Sequence, residues 1–327
     1  MNKKWKLALF NNTPILFFIF IFLIFSVLSP RFFSIQNFES IASNASYIGI
    51  LATGMTFVLL TGGVDLSVGS IMYISASVTG LLVQNHGYPV WLAILVGISI
   101  GLIFGAVNAF FIVKLKILPF ITTLSTLVAG RGIGLLITKS EGVMLPESII
   151  NIGSTRLFHI PLPIILFVIT VLTAYLVLSR TAFGRQVYAI GNDLEAARKA
   201  GINIDRVRFM IYMLSGLLAA IGGIIITSQL GNVNAGFGKG DEFDAIAAAV
   251  LGGTSLMGGI GSVFPGTMIG AITIQMIQAG LVYLQVDLYL QPIVTASIIF
   301  LAVFVDGVKI RQVLKMEKRN IRNEEKG

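Results

Sequence analysis

The sequence contains no cysteine and only two histidines, His86 and His159, which lie far apart in predicted loops. The lack of cysteine excludes disulfide bonds and thiolate metal sites. Charged residues make up only 12% of the 327 residues, and the acidic ones are scattered among predicted loops. No nucleophile–base pair or paired carboxylates stand out. We therefore expect no metal chemistry, no bound cofactor and no enzymatic activity of the chain itself.

Apolar residues, in contrast, dominate the sequence. They make up 55% of the chain, and the mean hydropathy is +0.89. Repeated apolar runs reach the length of roughly 20 residues that a membrane-spanning helix needs. This composition predicts an all-α, polytopic membrane helical bundle. We expect about ten spans, at residues 14–28, 41–60, 66–83, 90–113, 118–138, 161–178, 209–230, 243–256, 263–284 and 290–305.

Lysines and arginines sit at the ends of these spans. With the N-terminus inside, they concentrate in the inner segments, whereas the outer segments hold only Arg31, Lys139, Arg156 and Lys239. This bias follows the positive-inside rule. The net charge of +8 therefore reflects topology, and no nucleic-acid partner is expected. We predict a single transmembrane domain over 1–327, both termini cytoplasmic, a cytoplasmic segment at 180–208 and a cytoplasmic tail at 307–327.

Small residues recur at every fourth position within several spans. One stripe comprises Gly97, Gly101 and Gly105, and another comprises Ser215 and Gly223 with an alanine between them. This spacing places them on one helix face, where two backbones can approach closely. We prefer packing within the chain to a dimer interface, because a bundle of this size has many internal helix contacts.

A polar stretch at residues 61–70 interrupts the apolar runs with one carboxylate, three hydroxyls and three glycines. An ionisable side chain at the centre of a membrane helix costs about 2.5–3.5 kcal/mol on insertion scales. Irregular backbone survives at that depth only inside protein or beside a wet cavity. We interpret the stretch as the polar hinge of a translocation unit. Asp65 could bind substrate, couple to protons, or cap the third span by accepting from the amide of Ser67 or Val68.

A weaker echo of the hinge occurs at residues 251–256, where a pair of glycines again stands three residues before a leucine. Both stretches resemble interrupted helices in the two halves of a transporter, although glycine-rich packing would give the same echo. Neutral amides nearby suit hydroxyl-rich solutes because they both donate and accept hydrogen bonds; each could equally bond another helix. The candidate pathway residues are Thr61, Gly62, Gly63, Asp65, Ser67, Asn108, Gln229, Asn232, Gly252, Gly253 and Thr254.

The predicted cytoplasmic segment contains the signals of a short helix. Asn192 is a candidate N-cap, Glu195 stands three residues later as in a capping box, and Gly201 offers a left-handed stop. Two turns of exposed helix are not stable alone, so a protein partner or the membrane surface must support them. The sequence has no phosphate-binding loop, since the glycine-rich 236–240 lacks the required Ser or Thr. Any ATP must therefore be used by another polypeptide.

Three blocks together resemble one family, the ribose-type permeases of bacterial sugar-importing ABC transporters. The blocks are GMTFVLLTGGVDLSVGS at 54–70, TAFGR and YAIGN at 181–185 and 188–192 with 196–198 and 201–202, and DAIAAAVLGGTSL at 244–256. The resemblance implies a plasma-membrane permease that works with an ABC ATPase subunit, an extracytoplasmic sugar-binding protein and a second permease, identical or related. It also implies that a coupling loop docks on the ATPase, here through Asn192, Glu195, Ala196, Ala197, Arg198 and Gly201.

The leading hypothesis is therefore the membrane pathway of an ATP-driven importer for a monosaccharide or similar polyol. One alternative is a permease of the related branched-chain amino-acid importers, whose substrate carboxylate would call for a cation or a helix N-terminus. A second alternative is a secondary transporter with Asp65 as its proton site. Dependence on a partner ATPase would separate the first two from the third.

Overall fold

Helices form nearly all the regular structure in residues 13–301 and 304, the residues that the computed structural model describes. Four strands of two residues each complete it: β1 (Val143–Met144), β2 (Arg156–Leu157), β3 (Ile160–Pro161) and β4 (Asn232–Val233). The α-helices are α1 (Thr13–Leu28), α2 (Ile35–Leu60), α3 (Val68–His86), α4 (Val90–Ala109), α5 (Pro119–Thr138), α6 (Glu147–Ser154), α7 (Leu162–Arg180), α8 (Ala182–Asn192), α9 (Leu194–Lys199), α10 (Ile204–Leu230), α11 (Asp241–Leu251), α12 (Met268–Tyr283) and α13 (Gln291–Leu301).

Six helices within the described residues are long and apolar enough to cross a membrane. They are α2, α4 with its π-helical extension Phe110–Lys114, α5, α7, α10, and α12 with the π-helical turn Val263–Thr267 before it. This confirms the all-α membrane fold. Helices α2 and α10 begin about five residues before the predicted spans, because Ser34 and Asn203 cap them through side-chain oxygens. The last predicted span is seen up to Leu301; residues 302–303 and 305 lie outside the described residues.

The prediction of a full span at 243–256 is wrong. Helix α11 has only 11 residues, which corresponds to about 16 Å and is too short for a hydrocarbon core of roughly 30 Å. The chain then continues without regular helix from Gly252 to the π-helical turn at Val263. Positive φ angles at Gly253 (90°), Gly258 (91°) and Gly259 (73°) break the helix. The interruption agrees with the interpretation of residues 251–256 as an interrupted helix.

Contacts divide the chain into two units. The smaller unit holds the described residues before Ser34 and after Gln275. Within it, Phe32 is fully buried and packs with Phe25 and Tyr283, at ring-centroid distances of 5.5 and 6.2 Å. Gly280 lies directly beneath the ring of Phe25. Aromatic packing thus fixes the end of α1 against the end of α12.

The larger unit, residues 34–275, is built around α10, which packs on α2, α3 and α4. Gly101 of α4 and Gly216 of α10 meet so closely that a Cβ on either would collide with the other's carbonyl oxygen. Gly105 similarly lies against the backbone of Tyr212, and Gly223 against Met72 of α3. The prediction that the small-residue stripes serve packing within the chain is confirmed for these positions.

Within the larger unit, contacts bring together segments that were predicted to share a side of the membrane. At what we call the inner end, the Gly259 amide donates to the Leu60 carbonyl at 2.9 Å, and Lys116 pairs with Asp205 at 2.9 Å. At the outer end, β1 pairs antiparallel with β4, and Arg156 pairs with Glu39. The names follow the predicted orientation.

Candidate translocation site

Asp65 lies in the turn between α2 and α3 and is completely buried. Its Oδ1 accepts from the Ser67 amide at 3.0 Å and from the Ser67 hydroxyl at 2.6 Å. Its Oδ2 accepts from the Ser215 hydroxyl of α10 at 2.7 Å. The predicted bond from the Ser67 amide is therefore present. Three donors compensate the buried carboxylate for the water that it has lost.

The network extends beyond Asp65 to two further helices. The Asn108 side-chain amide of α4 donates to the Ser67 hydroxyl at 2.8 Å. Its carbonyl oxygen accepts from the Thr126 hydroxyl of α5 at 2.7 Å. The structure thus brings together the three predicted pathway residues Asp65, Ser67 and Asn108. Their polar atoms bond one another and join the turn to α4, α5 and α10.

The inner end holds a second cluster, formed where α8 meets two glycine-rich interruptions of helical structure. We call them the first break, residues 61–63 after α2, and the second break, residues 252–262 after α11. Gly191 of α8 packs directly against the Leu60 carbonyl and the Gly259 amide. The Tyr188 hydroxyl of the same helix donates to the Gly261 carbonyl at 2.9 Å. Because Leu60 ends α2 and Gly259 lies in the irregular segment after α11, one short helix touches both breaks.

Three predicted pathway residues of the first break lie near this junction. The Thr61 carbonyl accepts from the Arg208 guanidinium at 3.3 Å. A Cβ on Gly62 would lie 3.7 Å from the Met257 carbonyl, whereas one on Gly63 would lie 2.5 Å from the Tyr212 hydroxyl. The two breaks therefore meet through residues 60–62 and 257–259.

The glycines of the second break pack elsewhere in the larger unit. Gly252 packs against the backbone of Gly266, and Thr254 lies beside Gly261. Gly253 has a left-handed backbone with φ of 90°. These three predicted residues shape the irregular segment and do not join the Asp65 network.

The short helix predicted within residues 180–208 is present as α9, but its predicted N-cap is wrong. Asn192 is the last residue of α8, and Asp193 caps α9 by accepting from the amides of Glu195 and Ala196 at 2.9 and 3.0 Å. The extended backbone of Asp193 (φ −156°, ψ 110°) turns its carboxylate toward these amides. The left-handed stop at Gly201 is confirmed, with φ of 80°.

The side chains of α9 divide into two sets. Glu195, Ala196 and Arg198 are exposed together with Asn192 just before the helix, whereas Ala197 is buried. The buried side chain of Ala197 is on the face of α9 that packs against the larger unit. The exposed set remains available for a partner.

A cavity of about 490 Å³ lies at the outer end of the larger unit. Of the predicted pathway residues, only Asn232 lines it; Gln229 instead donates to the Ser43 hydroxyl at 3.0 Å. The lining comes from α2, the end of α10, the loop before α11, the start of α11, and α12. It comprises Asn44, Tyr47, Ile226, Leu230, Asn232, Asn234, Gly236, Phe237, Gly238, Lys239, Asp241 and Gln275.

Sequence reasoning selected neither Asp241 nor Tyr47 for this site. The available signal was the concentration of amides at Asn232 and Asn234 followed by an acidic residue after a glycine-rich loop. Tyr47 gave no such signal, because it lies within an apolar helix nearly 200 residues earlier in the chain. Only packing of α2 against α10 brings it to the cavity.

Charged residues hold the loop that covers the cavity. The Arg131 guanidinium donates to the Phe237 carbonyl and stacks over the Tyr73 ring at 5.5 Å. Asp241 follows this loop, outside the long apolar helices. Burial, together with the nearby Asp244 and Glu242, raises the pKa of the Asp241 carboxyl to about 7 against the opposing charge of Arg131.

Comparison with known proteins identifies the family. The family profile described as "Branched-chain amino acid transport system / permease component" matches residues 37–305, most of the chain. This chain belongs to that permease family. It is accordingly a multi-pass membrane protein, consistent with the apolar helices described above. No solved structure gives a significant match.

The curated relatives that this permease resembles include sugar transporters. A ribose import permease protein of Bacillus subtilis is 39% identical, over 90% of this chain and 92% of the relative. One of Haemophilus influenzae is 37% identical, over 87% and 89%. A xylose transport system permease protein of Escherichia coli is 32% identical, over 86% and 87%. The similarity therefore covers nearly the whole permease.

Replacing Asp65 tests the importance of the buried network for the fold. Asp65→Ala removes the acceptor for three buried donors, so we expect a destabilisation of about 3 kcal/mol or more. Thermal melting of the detergent-purified permease would measure it. The matched control is Asp205→Ala, which removes a carboxylate from an exposed ion pair. An unchanged melting temperature for Asp65→Ala would contradict a structural role.

The raised pKa of Asp241 predicts a pH-dependent stability. The folded state holds this proton more tightly than the unfolded state, so its contribution grows as the pH falls from about 7 toward the ordinary value of 3.8. At pH 8.5, Asp241→Asn removes a buried, repelled charge and should raise the melting temperature by roughly 2–4 °C for each 1 kcal/mol gained. This advantage should shrink at pH 5.5.

Glu147→Gln is the control for Asp241→Asn, because Glu147 is an exposed carboxylate at the same end of the unit. It should follow the wild-type pH profile. An advantage of Asp241→Asn that is equal at both pH values would show that Asp241 does not titrate in this range.

Proposed function

We propose that this chain is the transmembrane permease subunit of an ABC importer that carries a monosaccharide across the bacterial plasma membrane. The observation that supports it most strongly is the similarity, over nearly the full length, to ribose and xylose import permeases. The neutral amides at the outer cavity are in keeping with a hydroxyl-rich substrate.

A separate ATPase subunit would supply the energy by docking on α9. Glu195, Ala196 and Arg198 present an exposed surface there, and Gly201 ends the helix sharply. A helix of six residues has little stability of its own. Contact with a partner would therefore stabilise it and transmit force through it.

Helix α8 would carry a displacement of α9 to the pathway. Only Asp193 separates the two helices. Gly191 and Tyr188 contact the Leu60 carbonyl, the Gly259 amide and the Gly261 carbonyl. A shift of α8 would thus act on both glycine-rich breaks at once. We propose that this moves the halves of the bundle and switches the pathway between outward and inward access.

The remaining components follow from this assignment. An extracytoplasmic sugar-binding protein would deliver substrate to the outer end, and a second permease, identical or related, would complete the pathway. We propose a single transmembrane domain over 1–327 with both termini cytoplasmic. The contacts of the predicted inner segments with one another, and of the outer segments with one another, support the predicted alternation of sides, and the concentration of lysine and arginine in the inner segments supports the orientation.

Two alternatives receive less support. The family description names branched-chain amino acids, but the relatives described above are sugar permeases. A proton-coupled transporter would use Asp65 as its titrating site, yet Asp65 is fully buried and already bonded to three donors. These bonds favour a structural role for its carboxylate.

Co-purification tests the ATPase partner. The detergent-solubilised permease, isolated from its native membrane, should bring an ABC ATPase subunit with it. Glu195→Lys reverses an exposed charge on α9 and should reduce recovery of the ATPase by about tenfold, corresponding to roughly 1.4 kcal/mol. Quantitative mass spectrometry would measure the ratio of the two proteins.

The matched control is Glu141→Lys, an exposed charge reversal at the opposite end of the unit. It should leave the ATPase ratio unchanged. Intact permease recovered without any ATPase would contradict the importer assignment, whereas equal loss in both variants would show that α9 is not the docking element.

A further inference from the structure

A second cavity, of about 510 Å³, lies at the inner end of the larger unit. Its lining comes from the π-helical extension of α4 at Phe110–Lys114, from the residue before α10 and from the first two turns of α10. Farther from this end the two helices touch, since Gly105 lies against the backbone of Tyr212. The cavity therefore opens between α4 and α10 at the point where their close contact has ended.

Two cations line this inner cavity without a partner. Neither the Lys114 ammonium nor the Arg206 guanidinium makes an ion pair or a side-chain hydrogen bond with another described residue. The carboxylate in the lining, Asp205, is already paired with Lys116 at 2.9 Å. The cavity therefore carries a net positive charge, which attracts an anion.

The start of α10 adds to this positive charge. Asn203, Asp205 and Arg206 belong to the cap and first turn of this helix of 27 residues, and all three line the cavity. The N-terminus of a long helix carries a partial positive charge and presents backbone amides. Phosphate groups are favourable ligands at such a helix start.

The remaining lining of the inner cavity is apolar. Val113, Phe209 and Met210 supply it, and Met210 keeps 45% of its surface exposed. Leu115, which follows Lys114 in the chain, is 53% exposed. A ligand that fits this cavity therefore has an apolar part beside its anionic group.

The two helices place the inner cavity at a membrane surface. Val90–Lys114 is long and apolar enough to span a membrane, and Lys114 is its last residue. Helix α10 is a second such span and begins at Ile204. Basic pockets between the ends of transmembrane helices suit the headgroups of anionic lipids. This argument holds for either orientation of the chain in the membrane.

We propose that the inner cavity binds an anionic phospholipid, with the phosphate between Lys114 and Arg206 and an acyl chain along Met210. Such a lipid links the end of α4 to the start of α10. Only residues 200–203 separate α10 from α9. The bound lipid therefore steadies the helix that follows the proposed ATPase-docking element, whatever solute the permease carries.

Native mass spectrometry tests this site on the full-length permease purified in detergent. The protein is titrated with phosphatidylglycerol or with phosphatidylcholine of the same acyl chains, and the apparent Kd of each lipid is measured. Phosphatidylglycerol should bind at least about tenfold more tightly. Lys114→Gln combined with Arg206→Gln should reduce this preference to about twofold or less, because both phosphate contacts are lost.

Two further variants separate a specific site from general surface charge. Arg180→Gln combined with Arg185→Gln removes two exposed cations of the predicted inner segments that lie outside the cavity lining, and it should keep the preference. Asp205→Asn removes the carboxylate from the lining and releases Lys116, so it should tighten phosphatidylglycerol binding by about threefold. Misfolding does not produce such a gain in affinity.

Three results would overturn the proposal. Equal loss of preference in both double variants would show that the lipid responds only to overall charge. Displacement of phosphatidylglycerol by an equal concentration of glycerol 3-phosphate would show that the cavity takes soluble phosphates. An unchanged lipid preference in Lys114→Gln with Arg206→Gln, together with reduced co-purification of the ATPase, would make these cations a protein-docking surface. None of the three bears on which solute is imported.

Discussion

The buried carboxylate of Asp65 is the constraint on which the rest of this structure depends. It can remain in the bundle interior only because Ser67 and Ser215 supply three donors. Those donors lie on two different segments, and Asn108 adds a third through Ser67. Satisfying one charge therefore fixes the turn after α2 relative to α10 and α4. The close approach of Gly101 to Gly216, the residue after Ser215, holds the same pair of helices together beside the network.

This fixed centre separates two regions with different proposed roles. At the inner end, α8 contacts both glycine-rich breaks through Gly191 and Tyr188. At the outer end, α2, α10 and α12 converge on a polar cavity. Helix α2 runs through both regions, since Leu60 ends it at the junction and Tyr47 lines the cavity. Helix α10 does the same, since Arg208 contacts the first break and Ile226 lines the cavity. A rigid helix of this kind can transmit a displacement from one end to the other.

Sequence reasoning was most successful where the signal was local. Hydropathy located the long helices, four-residue spacing identified the packing of Gly101 and Gly105, and the bond from Ser67 to Asp65 followed from their separation of two residues. It failed where neighbouring candidates competed: Asp193, not Asn192, caps α9. It could not find the cavity, because Asn44, Asp241 and Gln275 meet only through tertiary packing.

The central claim is that this permease forms the pathway of an ATP-driven sugar importer. Its most direct test is uptake of labelled D-ribose and D-xylose by proteoliposomes that contain the permease, its co-purified ATPase and its binding protein. The account predicts uptake of at least one of the two sugars that requires ATP in the compartment facing the ATPase and persists after a proton ionophore is added. Uptake that continues without ATP and stops with the ionophore would contradict it, and would show that a proton gradient drives transport.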